Sequence, residues 1–180
     1  YHVYILYDQA NGKFIYTISE DKPRDELNFA RGVNDDRRYI GSFMTDGQGA
    51  IQRFRKAGTL HTFISLDKNQ MVGGLSPTSW TTLDLTGFVP PHVRVVRMRL
   101  EIYNYNAQPD TLRVRIKNDA TDTYTVPSGI GSGNAGTAAF NSVECDLVLD
   151  DTQQLEYQLA RGGGNSGGYA NIYVRGYQEG

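Results

Sequence analysis

The sequence predicts an all-β protein: an antiparallel β-sandwich, jelly-roll-like, over residues 76–180, preceded by a β-hairpin-rich segment over residues 1–75. Three observations predict it. Apolar and polar residues alternate with a period of two along much of the chain, as half-buried strands require. Asn-Gly, Asp-Gly and Gly-rich stretches interrupt these runs at short intervals, as turns between antiparallel strands do. Helical periodicity is confined to two turns at most, Asp25 to Arg31, closed by Gly32 as a C-cap.

The elements follow in order. His2-Val3-Tyr4-Ile5-Leu6-Tyr7 and Lys13-Phe14-Ile15-Tyr16-Thr17-Ile18 flank Asn11-Gly12, a pair that suits the positive φ angles of a type I′ hairpin turn. A second hairpin is expected from Arg38–Met44 and Ile51–Phe54 around Asp46-Gly47-Gln48-Gly49, with Leu60–Ser65 pairing beside it. Gly73-Gly74 and Ser76-Pro77 punctuate the chain and set the expected boundary. Beyond it Val96, Met98, Leu100 and Ile102 share one phase against Arg97, Arg99 and Glu101. Val93 and Val95 hold the opposite phase, which predicts a bulge near Val95-Val96. After a turn at Ala107–Asp110, Leu112, Val114 and Ile116 alternate with Arg113, Arg115 and Lys117. Val143, Cys145, Leu147 and Leu149 define the next strand, then Leu155, Tyr157 and Leu159, then Ala170, Ile172 and Val174. Two long Gly/Ser/Asn loops, 129–136 and 161–168, carry much of the glycine.

Composition excludes several classes of function. Eighteen Lys+Arg against 20 Asp+Glu leave a net charge of −2, without the basic excess of a dedicated nucleic-acid binder. No run approaches the 18 apolar residues of a membrane-spanning helix. A single cysteine excludes an internal disulfide and a cysteine-based zinc site. Tyr1 is not an initiator Met and no signal-peptide pattern follows it, so a longer parent protein is expected. What composition does mark is an excess of tyrosine, 12 residues, beside 20 glycines.

The stretch Tyr39-Ile40-Gly41-Ser42-Phe43-Met44-Thr45-Asp46-Gly47-Gln48-Gly49-Ala50-Ile51-Gln52-Arg53-Phe54 resembles a segment recurrent in bacteriophage and prophage tail proteins, written R-x-I-G-x-x-x-T-D-x-x-G-x-I-x-x-F. In those proteins it follows a Y-x-x-Y-x-I/L strand, here Tyr1 to Tyr7. Phe88-Val89-Pro90-Pro91-His92-Val93-Arg94 is similar to the V-P-P-x-x-R/T lead-in to their C-terminal β-domain, and Trp80–Leu85 fits the strand before it. The charged insert from Glu20 to Arg37 departs from the short Pro-rich loop of that pattern. The resemblance covers residues 1–100 by motif and the remainder by β pattern alone. It implies the distal part of a tail fibre or tail tip, homotrimeric, carried on the virion with other tail proteins and acting outside the host cell. A host-recognition or virion-structural role follows, and the motif itself contains no catalytic residue.

The candidate chemistry is that of a binding surface. His2, His61 and His92 lie too far apart in sequence for a ligand motif, and structural or surface roles are expected. Cys145 falls in the apolar phase and reads as a small core residue. Asp35-Asp36, Asp150-Asp151 and Asn118–Asp122 read as turns, because adjacent carboxylates in an extended chain point to opposite faces. No catalytic residue, metal site or cofactor is therefore expected. Arg97, Arg99, Arg113, Arg115 and Lys117 occupy the polar phase of what would be one hairpin, a face suited to anionic groups of a glycan or to a subunit boundary. Against this, Glu101, Glu144, Asp146 and Glu156 are placed to neutralise it across strands. Tyr103, Tyr105, Tyr173 and Tyr177, with Arg175 and the loop residues Asn134 and Asn165, form the expected receptor-binding set, since exposed aromatic faces stack on sugar rings. The leading expectation is a non-enzymatic receptor-binding domain contacting a host surface polysaccharide or protein. A purely structural head-fibre or decoration domain and an enzyme acting on the capsule or cell wall are the alternatives.

Overall fold

A computed structural model describes residues 1–8, 10–19, 38–45, 50–64, 70–75, 77–105, 108–117, 119, 123–129, 139–162 and 168–179. The described chain is all-β: β1 (His2–Asp8), β2 (Lys13–Ser19), β3 (Arg38–Ser42), β4 (Phe54–Ala57), β5 (Leu60–Phe63), β6 (Gln70–Leu75), β7 (Thr81–Asp84), β8 (Val95–Asn104), β9 (Thr111–Ile116), β10 (Thr123–Pro127), β11 (Ala139–Val148), β12 (Gln154–Ala160) and β13 (Tyr169–Gln178). The stretch expected to be helical, Asp25 to Arg31, lies outside the described residues.

The N-terminal strands form a three-stranded sheet in the order β2-β1-β3. β1 and β2 pair from His2↔Ser19 to Asp8↔Lys13, which confirms the hairpin but not its turn type. Four residues separate the last pair, and among the described ones only Gly12 takes a left-handed φ, 61°. The Asp8 carboxylate closes this wider loop by accepting from the Ala10 amide at 3.0 Å and from Asn11 Nδ2 at 2.7 Å. A side chain able to bridge back two and three residues has replaced the tight turn.

The expected second hairpin is also rearranged. β3 pairs with β1, and the arms around 46–49 meet at the Thr45↔Ile51 bridge and the Gln52 N–H to Met44 carbonyl bond. Phe54–Ala57 instead pairs with Leu60–Phe63 across Gly58-Thr59, where Gly58 has φ 61°.

Two further sheets enclose the core. One runs β10-β9-β12-β7; the other runs β11-β8-β13-β5-β4, with β6 also paired to β13. All pairings are antiparallel. Val96, Met98, Leu100, Ile102, Ile172 and Val174 from one sheet and Leu112, Val114, Leu155 and Leu159 from the other are fully buried in a single cluster. The period-two alternation produces this directly, because successive side chains point to opposite faces. Burying a cluster of such aliphatic side chains contributes about 1.5–3 kcal/mol each, before chain entropy is charged against it.

Two expectations about where strands are interrupted are corrected by the pairing. Gly73-Gly74 lies inside β6, and β4, β5 and β6 belong to the same hydrogen-bonded sheet as β8 and β13. The boundary drawn at 75/76 therefore falls within one sheet. No register shift occurs at Val95-Val96, because Val93 is held in a turn by its bond to the Pro90 carbonyl. The bulge sits opposite, in β13, where Val174 pairs with Met98 and Gly176 with Arg97, leaving Arg175 as the extra residue. Gly176 is required there: a Cβ would stand 1.9 Å from the His61 carbonyl oxygen.

Candidate functional site

With the inner phase of β8, β11 and β13 committed to the core, the intervening residues form rows across the outer face of that sheet. The register aligns Phe140, Tyr103 and Tyr169 in one row, Ser142, Glu101 and Asn171 in the next, and Glu144, Arg99 and Tyr173 in a third. Directly opposed side chains in adjacent strands are close enough to touch. The first row is a continuous aromatic platform. Tyr103 stacks on Tyr169 at 4.6 Å and 14° and meets Phe140 at 4.8 Å, while Tyr105 packs at 6.3 Å from Tyr169. Phe140 remains 49% exposed, so one end of the platform is open.

Beneath the platform lies a carboxylate. Glu101 is buried, and Arg99 holds it in an ion pair at 2.8 Å. Its other oxygen accepts from Asn171 Nδ2 at 3.3 Å and from the Tyr103 hydroxyl at 3.4 Å. Arg99 Nε in turn donates to Ser142 Oγ at 3.0 Å. Asn171 Oδ1 accepts the Gly74 amide at 3.0 Å, tying the edge strand β6 to the same network. Burial first, and then the neighbouring carboxylate and hydroxyls, raise the phenol pKa values of Tyr103, Tyr169 and Tyr173 above the ordinary tyrosine range. These hydroxyls therefore stay protonated and act as donors as well as acceptors.

The remaining cations of this face are paired. Arg97 makes two bonds to Asp146, at 2.8 and 3.0 Å; that bond raises the guanidinium pKa and lowers the Asp146 pKa. Arg175 lies 3.4 Å from Glu144. The expected basic ribbon does not exist as one surface. Arg97 and Arg99 are on β8, whereas Arg113 and Arg115 are on β9 in the other sheet, followed by Lys117, because the chain crosses between sheets after Asn104. There Arg115 bonds Glu156 at 2.9 Å and lies 4.0 Å over the Trp80 ring, and Lys117 bonds Gln154 at 2.6 Å. Arg113 is exposed.

The structure thus brings Tyr103, Tyr105 and Tyr173 onto one face with Arg99 and with Glu101, expected as a neutralising acid, and adds Tyr169, Phe140 and Asn171, which sequence reasoning missed. Tyr169 and Phe140 border loops whose structure could not be read from alternation. Tyr177 is corrected: the extra residue at Arg175 reverses the phase, and Tyr177 is 0% exposed, opposite Val96. Asn134 and Asn165 lie outside the described residues. So do Asp35 and Asp36. Asp150 is a turn residue, its carboxylate accepting from the Thr152 amide at 2.9 Å and hydroxyl at 2.7 Å.

A second polar cluster gathers the three histidines. Glu179 is 4% exposed; one carboxylate oxygen accepts from the Ser42 amide at 2.8 Å and from the Ser42 hydroxyl, the other from Lys56 Nζ at 3.1 Å and His61 Nε2 at 3.0 Å. His92 Nε2 stands 3.8 Å from Glu179, and the His2 ring is 4.9 Å from that of His92. Sequence spacing gave no sign of this convergence, though His61 shares its strand phase with the buried Phe63. Among the described residues no group of three His, Cys, Asp or Glu is arranged to hold a metal ion.

No family model matches the chain, and no curated protein matches it.

Proposed function

We propose that this chain is a non-enzymatic receptor-binding domain of a bacteriophage tail fibre, and that its Phe140–Tyr103–Tyr169 face contacts a host cell-surface glycan during adsorption. The motif of residues 39–54 and the V-P-P segment support the tail-protein assignment by resemblance. The aromatic platform carries the glycan assignment: stacked, partly open rings beside fixed hydroxyl and amide donors suit the apolar faces and hydroxyl edges of sugars. The ligand is a neutral saccharide, because Arg97, Arg99 and Arg175, the cations of β8, β11 and β13, already have acid partners.

The strand order is consistent with this reading. Consecutive strands from β7 to β13 change sheet at every step except β9 to β10. That order supports a jelly-roll connection, an architecture shared by viral capsid and lectin domains, although architecture alone does not fix function. The domain acts from the virion, as a homotrimer joined to other tail proteins. Support for subunit packing comes from β2, where Phe14, Tyr16 and Ile18 are 62%, 65% and 63% exposed. The same strand favours the second reading, a structural virion component whose exposed apolar strand packs against other virion proteins.

An array of neutral and acidic polysaccharides probed with the purified chain tests the proposal. Binding to neutral members that is lost in Tyr169→Ala supports it. Binding to none, together with normal adsorption of virions lacking this domain, would leave the structural reading.

A further inference from the structure

We infer that Asn11 is a site of spontaneous deamidation, where the Gly12 amide displaces the side-chain nitrogen as ammonia and leaves a carboxylate facing Asp8. Asn11 is the one asparagine in the sequence that glycine follows. A residue without a Cβ leaves its nitrogen open to the preceding carboxamide, and asparagine is among the chemically labile side chains. Both residues are exposed, in the four-residue loop between β1 and β2. Among the described residues, the nearest atom to where a Gly12 Cβ would stand is the Tyr7 hydroxyl, at 3.9 Å. Water and base therefore reach the peptide that has to react. Asn141, which serine follows, is arranged differently. It lies in β11, the Ser142 amide donates to its Oδ1 at 2.8 Å, and its Nδ2 donates to the Pro127 carbonyl at 2.7 Å. There the following nitrogen aims its proton, not its electron pair, at the carboxamide, and the pairing of β11 with β8 holds it so.

Water balances the reaction. The Gly12 nitrogen gives its proton to solvent base and attacks Asn11 Cγ. A C–N bond forms, the Cγ–Nδ2 bond breaks, and Nδ2 takes up a proton and leaves as ammonia. The cyclic imide then adds one water. Opening at Cγ leaves aspartate; opening at the Asn11 backbone carbonyl leaves isoaspartate, whose chain runs on through Cβ and Cγ. Nothing is oxidised or reduced. The product is felt at Asp8. Asn11 Nδ2 donates to Asp8 Oδ2 at 2.7 Å, and this bond is the largest influence holding the Asp8 carboxyl below its ordinary range. Either product puts an acceptor-only carboxylate in place of that donor, so attraction gives way to repulsion between like charges. Asp8 keeps the Ala10 amide, and the Tyr7 and Phe14 rings, 5.1 Å apart, close the next pair of the ladder. The loop therefore loosens while the hairpin beyond it holds.

Peptide mapping of the whole chain by mass spectrometry, after incubation at pH 8 and at pH 6, tests this. Asn11 is expected to convert at least tenfold faster than Asn141, to both aspartate and isoaspartate. Conversion is expected to be slower at pH 6, because the attacking nitrogen must lose its proton. Gly12→Ala is expected to slow it about tenfold, as a Cβ shields that nitrogen. Conversion of Asn11 no faster than that of Asn141 would overturn the inference, and so would a rate that does not fall at pH 6. Should Gly12→Ala distort the loop, the comparison with Asn141 in the wild type still decides. The Asn11→Asp variant is expected to shift the Asp8 titration midpoint upward in NMR. An unchanged or lower midpoint would overturn the placement of the new carboxylate against Asp8.

Discussion

Tyr177 lies flat on His61, with ring centroids 4.5 Å apart and planes 14° from parallel, at a position that simple alternation from Tyr173 would turn toward solvent. The bulge at Arg175 is what turns it inward, where Phe63 also meets its ring edge at 5.9 Å. Replacing Tyr177 by Ala removes a fully buried ring and is expected to destabilise the fold by about 3–5 kcal/mol. Tyr177→Phe, which loses only the bond to Ser42, is expected to cost about 1 kcal/mol. Urea denaturation of the two variants measures both, and a surface-like effect of Tyr177→Ala would contradict the bulge.

Asp110 is fully buried and accepts from Arg161 at 2.9 Å and from the Gly162 amide at 3.2 Å. Its own backbone is tied twice to Ser128, so it anchors the start of β9, the end of β12 and the end of β10 together. Asp110→Asn leaves a largely buried guanidinium without its counter-charge. A loss of about 3 kcal/mol is expected, read from the denaturation midpoint at pH 7.

Burial raises the Cys145 thiol to about 11, with the Asp146 carboxylate adding to the effect. The folded state therefore disfavours the thiolate, and the fraction ionised rises only as pH approaches that value. A disulfide reagent at pH 8 is expected to leave Cys145 unmodified in buffer and to react fully in 8 M urea, roughly the concentration that unfolds a domain of this kind. Rapid reaction in buffer would show that the β11 strand opens readily.

On the aromatic face, Tyr103→Ala and Tyr169→Ala are each expected to weaken saccharide binding about tenfold, as loss of one stacking ring does. Affinity is expected to stay constant from about 50 to 500 mM salt, since a neutral ligand adds no charge for salt to screen. Titration calorimetry with the best array ligand measures both. A steep salt dependence would point to an anionic ligand instead.

The parts of this fold legible in the sequence were those governed by the nearest neighbours along one strand. Val96 to Ile102, Leu112 to Ile116 and Leu155 to Leu159 announced their buried faces because a strand repeats every two residues whatever it pairs with. Which strands share a sheet is a different matter: Arg99 and Arg115 look alike in sequence, yet the crossing after Asn104 puts them in separate sheets. The isolated Gly176 within an otherwise regular strand was a usable sign of the bulge that it accommodates. No comparable sign marked Glu179, because its partners come from four different segments, the most distant being 137 residues away. The aromatic platform was half legible. Tyr103 and Tyr105 stood out as strand-end tyrosines, but their stacking on Tyr169 depends on the register between β8 and β13.

β13 has a further consequence, for the order of events during synthesis. It is flanked on one side by β8 and on the other by β5 and β6, so a strand that leaves the ribosome after the other described strands occupies the middle of its sheet. Until it emerges, β8 and β5 present bare backbone edges to the cell, and contacts such as that between His61 and Glu179, 118 residues apart, have nothing to close on. Folding of so non-local a topology is slow, and these waiting edges are where nascent chains would join one another. A chaperone holding this protein on the ribosome has those two strands to protect.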